Sequence, residues 1–262
     1  MEFETLIMEM RDSVAHLTIN RPDAANALNR QLAIDLLQAA IACDEDARIR
    51  CVLITGTGKM FCAGGDLKSF AAQRDGLPVH VKEVTAYFHA AISRFVWMDA
   101  PVIAAVNGPA GGAGLSLVCA TDLAVSAASA KFVMAYTRAG LTPDGSSTYF
   151  LSKLIGMRRA KELALTNRTL SAEEALEWGL LNRVVPDAEL AAAVGELAAS
   201  LAEGATLALG EAKRLLQQGF TETLESQMER ETRGIADMAR TEDAHEGIAA
   251  FIAKRKPDFK GR

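Results

Sequence analysis

In the stretch "AGLTPDGSST", residues 139–148, one carboxylate, Asp144, sits between Pro143 and Gly145. A carboxylate in an apolar pocket gains proton affinity and can take a proton from carbon and return it. The competing reading is a Pro-Asp-Gly turn in which Asp144 caps a helix that starts near Ser146. Two glycine-rich stretches, "GKMFCAGGDLK" and "NGPAGGAGLSL", each follow a short apolar run, "CVLITG" and "PVIAAV". Glycine lets a ligand approach the main chain, and a helix that starts just after such a turn adds its positive dipole end. Neither stretch has the Gly-Lys-Ser/Thr ending of a P-loop, and no Gly-x-Gly-x-x-Gly stands in a dinucleotide-binding context, so a group smaller than a nucleotide is implied. N–H groups converging from two loops suit a thioester carbonyl that becomes an enolate or a tetrahedral oxyanion, each donor contributing about 10² to 10³ in rate.

The elements that position these groups are legible in outline. Short β-rich runs at residues 3–8 and 14–20 precede the turn-rich "RPDAANALN", predicting a hairpin that opens an α/β unit. Leu32, Leu36, Leu37, Ala40 and Ile41 recur at helical spacing, "CVLITG" and "PVIAAVNG" read as buried strands, and residues 80–98 read as an amphipathic helix. Strands alternating with helices predict crossovers and a mostly parallel sheet. Beyond Ser146 strands nearly vanish, and Ser171-Ala172-Glu173-Glu174 has the form of a capping box. The expectation is an α/β fold with one continuous core over residues 1–200 and a helical C-terminal subdomain over 201–262.

Composition narrows the partners. The chain has 262 residues, 50% of them hydrophobic and 23% charged, with a formal net charge of −5. That is ordinary for a globular protein and gives no domain-wide basic field for nucleic acid. Cys43, Cys51, Cys62 and Cys119 stand singly, without the spacing of a disulfide framework or a metal site. No run of about 18 apolar residues predicts a membrane span. The acidic N-terminus does not read as a targeting segment, so a cytoplasmic protein is expected, although a matrix protein after cleavage would read alike. His16, His80, His89 and His245 have no partners at catalytic spacing and read as structural or solvated.

Five strings, "LTINRPDAANALN", "GKMFCAGGDLK", "PVIAAVNGPAGGAGLSLVCATDLAVSAASAKF", "LSAEEALEWGLLNRVV" and "AFIAKRKPDFKGR", together resemble the crotonase, or enoyl-CoA hydratase/isomerase, family over nearly the whole chain. The resemblance implies a spiral of ββα units followed by helices that build trimers, often paired into hexamers. It implies an acyl-coenzyme A thioester as substrate, with no separate cofactor and no metal. It places the oxyanion donors on the N–H groups of Gly65 and Ala113, with Ala63, Leu67 and Gly112 beside them. Ala24, Ala25 and Ala27 fall where family members meet the nucleotide end, and Phe251 and Lys260 belong to a tail that comes from an adjacent subunit or folds over the pocket. Lys59 and Lys68 beside the first loop, and Lys254, Arg255, Lys256 and Lys260 in the tail, are candidates to offset the charge of coenzyme A. Asp66 reads as a cap that braces the first loop.

Departures from the family pattern bear on the chemistry. Where hydratases hold two glutamates beside the thioester, this chain has Ser116 and Tyr136, whose ordinary proton affinities are far too high to replace a carboxylate pair. Ser116 lacks the setting of a nucleophile elbow and reads as a small pocket residue, Tyr136 as a pocket wall. The remaining acid is Asp144, at a position where divergent members carry their catalytic acid, and "GLTPDGSST" is similar to the ring-1,2-epoxyphenylacetyl-CoA isomerase branch. The leading expectation is an acyl-CoA isomerase. The alternatives are a hydratase or acyl-CoA hydrolase using Asp144 alone, and a non-catalytic acyl-CoA-binding member of a multienzyme complex.

Overall fold

The computed structural model describes residues 2–262. The elements run β1 (Leu6–Arg11), β2 (Val14–Ile19), α1 (Arg30–Glu45), β3 (Cys51–Gly56), α2 (Leu67–Ala71), α3 (Leu77–Trp97), β4 (Val102–Val106), β5 (Ala110–Gly111) and α4 (Ala113–Ala120). There follow β6 (Leu123–Ala127), β7 (Lys131–Val133), α5 (Ser147–Ile155), α6 (Met157–Thr166), β8 (Leu170–Ser171), α7 (Ala172–Glu177) and β9 (Arg183–Val185). The chain closes with α8 (Leu190–Ala202), α9 (Thr206–Gln218), α10 (Leu224–Met238) and α11 (Glu242–Ile252). The expected α/β architecture is present: β1 and β2 form an antiparallel hairpin, and β2, β3, β4, β6 and β9 continue the sheet in parallel, in the order β1-β2-β3-β4-β6-β9.

Because side chains alternate along a strand, the central strands feed two cores. Val52, Ile54, Val102, Ala104 and Val106 point to the side of α1, α3 and α4, whereas Cys51, Leu53, Ile103 and Ala105 point to the side of α8. On α1 the buried stripe is Leu32, Ala33, Leu36, Ala39, Ala40 and Cys43; Ile41, expected in that stripe, faces solvent. The first strand also begins later than its sequence predicts. Glu4 and Thr5 are instead strapped to α1, where buried Asp35 accepts from Glu4 N–H, Thr5 N–H and the Thr5 hydroxyl. A small sheet, β5-β7-β8, and the late strand β9 were not anticipated; each strand has only two or three residues, too few to show a period.

The C-terminal helices are fastened to the core by polar groups, of which Asp243 is buried. Lys213 on α9 reaches Asp122 at 2.7 Å and the carbonyls of Phe95 and Ala100, while burial pushes the Asp122 carboxyl above its ordinary value against the pull of that lysine. Arg50 holds the carbonyls of Gly204 and Phe259, and buried Asp243 accepts the N–H groups of Lys260 and Gly261. The predicted capping box at Ser171 is complete, with both reciprocal hydrogen bonds made.

Candidate active site

The two glycine loops lie side by side because their backbones are paired. Gly111 N–H donates to Cys62 O at 2.9 Å, Cys62 bridges Ala110, and Leu28 bridges Gly65. The pairing needs small residues: a Cβ on Gly114 would stand 2.4 Å from Cys62 O, and one on Gly111 would stand 2.9 Å from Ala63 O. Among the described residues, the N–H groups of Gly65 and Ala113 have no protein acceptor, and both residues line one cavity of about 360 Å³. Ala113 is the first residue of α4, so the helix dipole adds to its N–H at that point.

Asp66 does what its position implies. Its carboxylate caps α2 by accepting Ser69 N–H at 3.1 Å and pairs with Arg21 at 3.0 Å. Burial opposes its charge, but these partners outweigh that and hold the carboxyl below its ordinary value. The 24–27 segment is pinned to the same loop. Ala63 N–H donates to Ala25 O, and fully buried Asn26 donates to the carbonyls of Thr57 and Met60.

Asp144 lines the cavity and does not cap α5. Its carbonyl, rather than its carboxylate, receives Ser147 N–H at 3.2 Å and the Ser147 hydroxyl at 2.8 Å, and Ser146 precedes the helix with no side-chain cap. The turn that presents it depends on Gly145, at φ +59°, where a Cβ would meet Phe88 Cε1 at 2.6 Å and Ser116 Cβ at 2.8 Å. The carboxylate Oδ2 lies 3.5 Å from His89 Nε2, and that nitrogen accepts the Gly145 N–H at 3.1 Å.

Of the residues expected at the site, Gly65, Leu67, Ala113, Tyr136 and Asp144 line the cavity. Ala63, Asp66, Gly112 and Ser116 flank it, Ser116 fully buried behind Tyr136, while Ala24, Ala25, Ala27 and Lys68 stay on the adjoining segments without lining it. Phe251 is 85% exposed, and the Lys260 ammonium pairs with Asp258 at 2.7 Å, so neither joins the cavity of its own chain. Arg255 and Lys256 are likewise taken up by Glu246 and Glu203.

The finding absent from the sequence reading is His89. It lines the cavity with Val81 and Thr85, two turns and one turn before it on α3, and this four-residue spacing is the signal that puts the three on one helix face. Leu28, Phe70, Val84 and Leu141 complete a mostly apolar wall. Asp144, His89 and Tyr136 are the titratable side chains of that lining. Among the described residues no three His, Cys, Asp or Glu converge as metal ligands. The four cysteines are buried, and burial pushes Cys43, Cys51 and Cys119 up to about 12 and Cys62 up to about 11, which leaves them unreactive thiols. What remains is a carboxylate facing an apolar chamber that also receives two free N–H groups, suited to moving a proton next to a polarised carbonyl.

Residues 9–262 match the family described as enoyl-CoA hydratase/isomerase. The chain is 38% identical over 260 residues to the 1,2-epoxyphenylacetyl-CoA isomerase of Escherichia coli K12, covering 99% of each chain. It is 37% identical over 248 residues to 4-chlorobenzoyl coenzyme A dehalogenase-2 of an Arthrobacter species, covering 94% of this chain and 90% of that one. Among solved structures, an enoyl-CoA hydratase from Polaromonas sp. JS666 superimposes with a TM-score of 0.93 at 33% identity, over 97% of this chain and 99% of that one.

Proposed function

From the premise that the chain belongs to the enoyl-CoA hydratase/isomerase family, we propose that it is an acyl-CoA isomerase in which Asp144 moves the proton. The thioester carbonyl accepts hydrogen bonds from Gly65 and Ala113 N–H, which lowers the cost of charge on its oxygen. Asp144 takes a proton from the acyl carbon; the electron pair enters the carbonyl and forms an enolate. The same carboxyl returns the proton to another carbon of the conjugated system, and a double bond migrates. No electron leaves the substrate, so the step calls for no cofactor beyond the coenzyme A that is part of the substrate.

The observation that carries this reading is the placement of Asp144: its carboxylate is not spent on a helix cap and shares the cavity with both unpartnered N–H groups. The apolar lining and the printed activity of the isomerase relative support an unsaturated or ring-bearing acyl group. A panel of 2-enoyl, 3-enoyl and aryl-acetyl CoA thioesters in deuterated water, followed by mass, tests it. Deuterium uptake without gain of water is the expected result.

A second reading has one observation in its favour. His89 beside Asp144 makes a carboxylate–imidazole pair that can hold a water, and relatives at 35–37% identity are named as a probable hydratase and as a dehalogenase. Gain of water or release of free coenzyme A in the same panel would favour hydration or hydrolysis. We also propose assembly with copies of itself, as a trimer or pair of trimers, through the C-terminal helices. Leu216, Leu224, Ile235 and Phe251 expose large apolar side chains there. A monomer mass by light scattering would refute that assembly.

A further inference from the structure

The C=O of Asp144 and the N–H of Gly145 belong to one planar peptide group, and a different helix holds each end of it. On α3, His89 Nε2 accepts the Gly145 N–H at 3.1 Å. On α4, Ser116 Oγ lies 2.9 Å from Asp144 O, and the same oxygen lies 2.8 Å from Tyr136 Oη and 3.2 Å from Gly112 O. A serine has one proton to donate. Gly112 O already receives the Ser116 N–H at 2.9 Å, and the phenol can donate to Ser116 rather than accept from it. The Ser116 proton is therefore free for Asp144 O, its nearer carbonyl. Ser147 also donates to that carbonyl, from its N–H at 3.2 Å and its hydroxyl at 2.8 Å, but Ser147 is the first residue of α5 and closes the turn on itself. Among the described residues, Ser116 alone ties the Asp144 carbonyl to a separate element. Packing reinforces the tie: a Cβ on Gly145 would stand 2.8 Å from Ser116 Cβ and 3.3 Å from Ser116 Oγ, so the turn rests directly on residue 116.

We propose that Ser116 is a positioning residue that registers Asp144 against the oxyanion donors: its hydroxyl fastens the Asp144 peptide to α4, the helix whose first residue supplies the Ala113 N–H. This rests on the acid/base reading of Asp144 given above. Ser116 is fully buried and does not line the cavity, so it acts through Asp144 and not on the substrate. It stands about one helical turn beyond Ala113. A single turn of α4 thus carries both the donor that holds the thioester oxygen and the hydroxyl that holds the backbone of the acid/base. The separation between the two is set by helix geometry, whereas a tie made by Ser147 alone would let the turn move as a unit against α4. Register matters because the carboxylate must reach two carbons, the one it deprotonates and the one to which it returns the proton. A misplacement of about 1 Å can cost about 10² in rate.

The test incubates 3-hexenoyl-CoA in deuterated water and reads the two fates of one enolate: deuterium returned to C2 of the unrearranged substrate, and double-bond migration with deuterium at C4. Their ratio reports where the carboxylate sits along the acyl chain, and a loss of folded enzyme lowers both without moving it. Ser116→Ala should lower kcat by about tenfold, the scale of one lost hydrogen bond, with KM nearly unchanged. It should also shift the ratio by about threefold or more, because the carboxylate is no longer held in register. Ser116→Cys, similar in size but a weaker donor, should shift the ratio in the same direction and by less. Ser147→Ala is the control: it takes an equally buried hydroxyl from the same carbonyl but leaves the tie to α4, so the ratio should hold. A ratio unmoved in both Ser116 variants, or moved as far by Ser147→Ala, with exchange abolished in Asp144→Asn, would overturn this proposal alone. Exchange that survives in Asp144→Asn would overturn the acid/base reading and the proposal with it.

Discussion

His89 Nε2 stands 3.5 Å from Asp144 Oδ2 and accepts the N–H of the very next residue, Gly145, at 3.1 Å. To accept that N–H, Nε2 must carry its lone pair, so the ring proton sits on Nδ1. The imidazole therefore fixes the turn that aims the carboxylate. His89→Phe should cut turnover by about tenfold, the scale of one lost hydrogen bond at a site, with the melting temperature little changed. Equal turnover in the variant would show that the turn holds Asp144 without it.

Gly145 offers a sharper structural prediction. Gly145→Ala places a Cβ within 2.6 Å of Phe88 and 2.8 Å of Ser116 at a positive φ. Strain and overpacking together should destabilise the fold by about 2 to 4 kcal/mol in urea unfolding. A variant as stable as the parent would mean that the turn relaxes without cost.

Ala113→Pro isolates one oxyanion donor. Proline is well tolerated at the first position of a helix, Ala113 begins α4, and its N–H serves no protein acceptor. Turnover should drop by about 10² to 10³ while thioester binding, read by calorimetry, is largely retained. Unchanged turnover in a folded variant would discard Ala113 as a donor.

The pH dependence follows from Tyr136. Burial and the neighbouring Asp144 charge raise this phenol above its ordinary value of about 10. A raised value favours the neutral form, so the hydroxyl persists across neutral and mildly alkaline pH. The rate profile should show no alkaline limb from this group below about pH 10. In Tyr136→Phe the alkaline side should be unaltered, and an alkaline limb that disappears in that variant would contradict the assignment.

Much of the site was legible because its signals are local. The paired glycine loops, the Ser171 capping box and Asp144 in its Pro-Asp-Gly turn each announce themselves within a few residues. The sequence left a helix cap as a rival role for Asp144, and the structure removes it, since only the Asp144 carbonyl meets the start of α5. His89 and the Ser116–Tyr136 contact stayed hidden for the opposite reason. His89 meets Asp144 across 55 residues, and Ser116 reaches the Asp144 carbonyl across 28 and Tyr136 across 20, through packing of α3 and α4 that no short motif encodes. The tail shows the same limit: its basic residues read as a cluster, yet Arg255, Lys256 and Lys260 each find a carboxylate in their own chain.

The most direct test of the central claim is deuterium uptake by Asp144→Asn, measured on the enoyl and aryl-acetyl thioester panel beside its melting curve. Asn fits the same turn and keeps the carbonyl contacts to Ser116 and Ser147, but it cannot accept a proton. The account predicts a loss of about 10² to 10⁴ in exchange and turnover, the range for a positioned acid/base, with the melting curve unchanged. Full exchange in a variant that melts like the parent would contradict it and return Asp144 to the role of a turn residue.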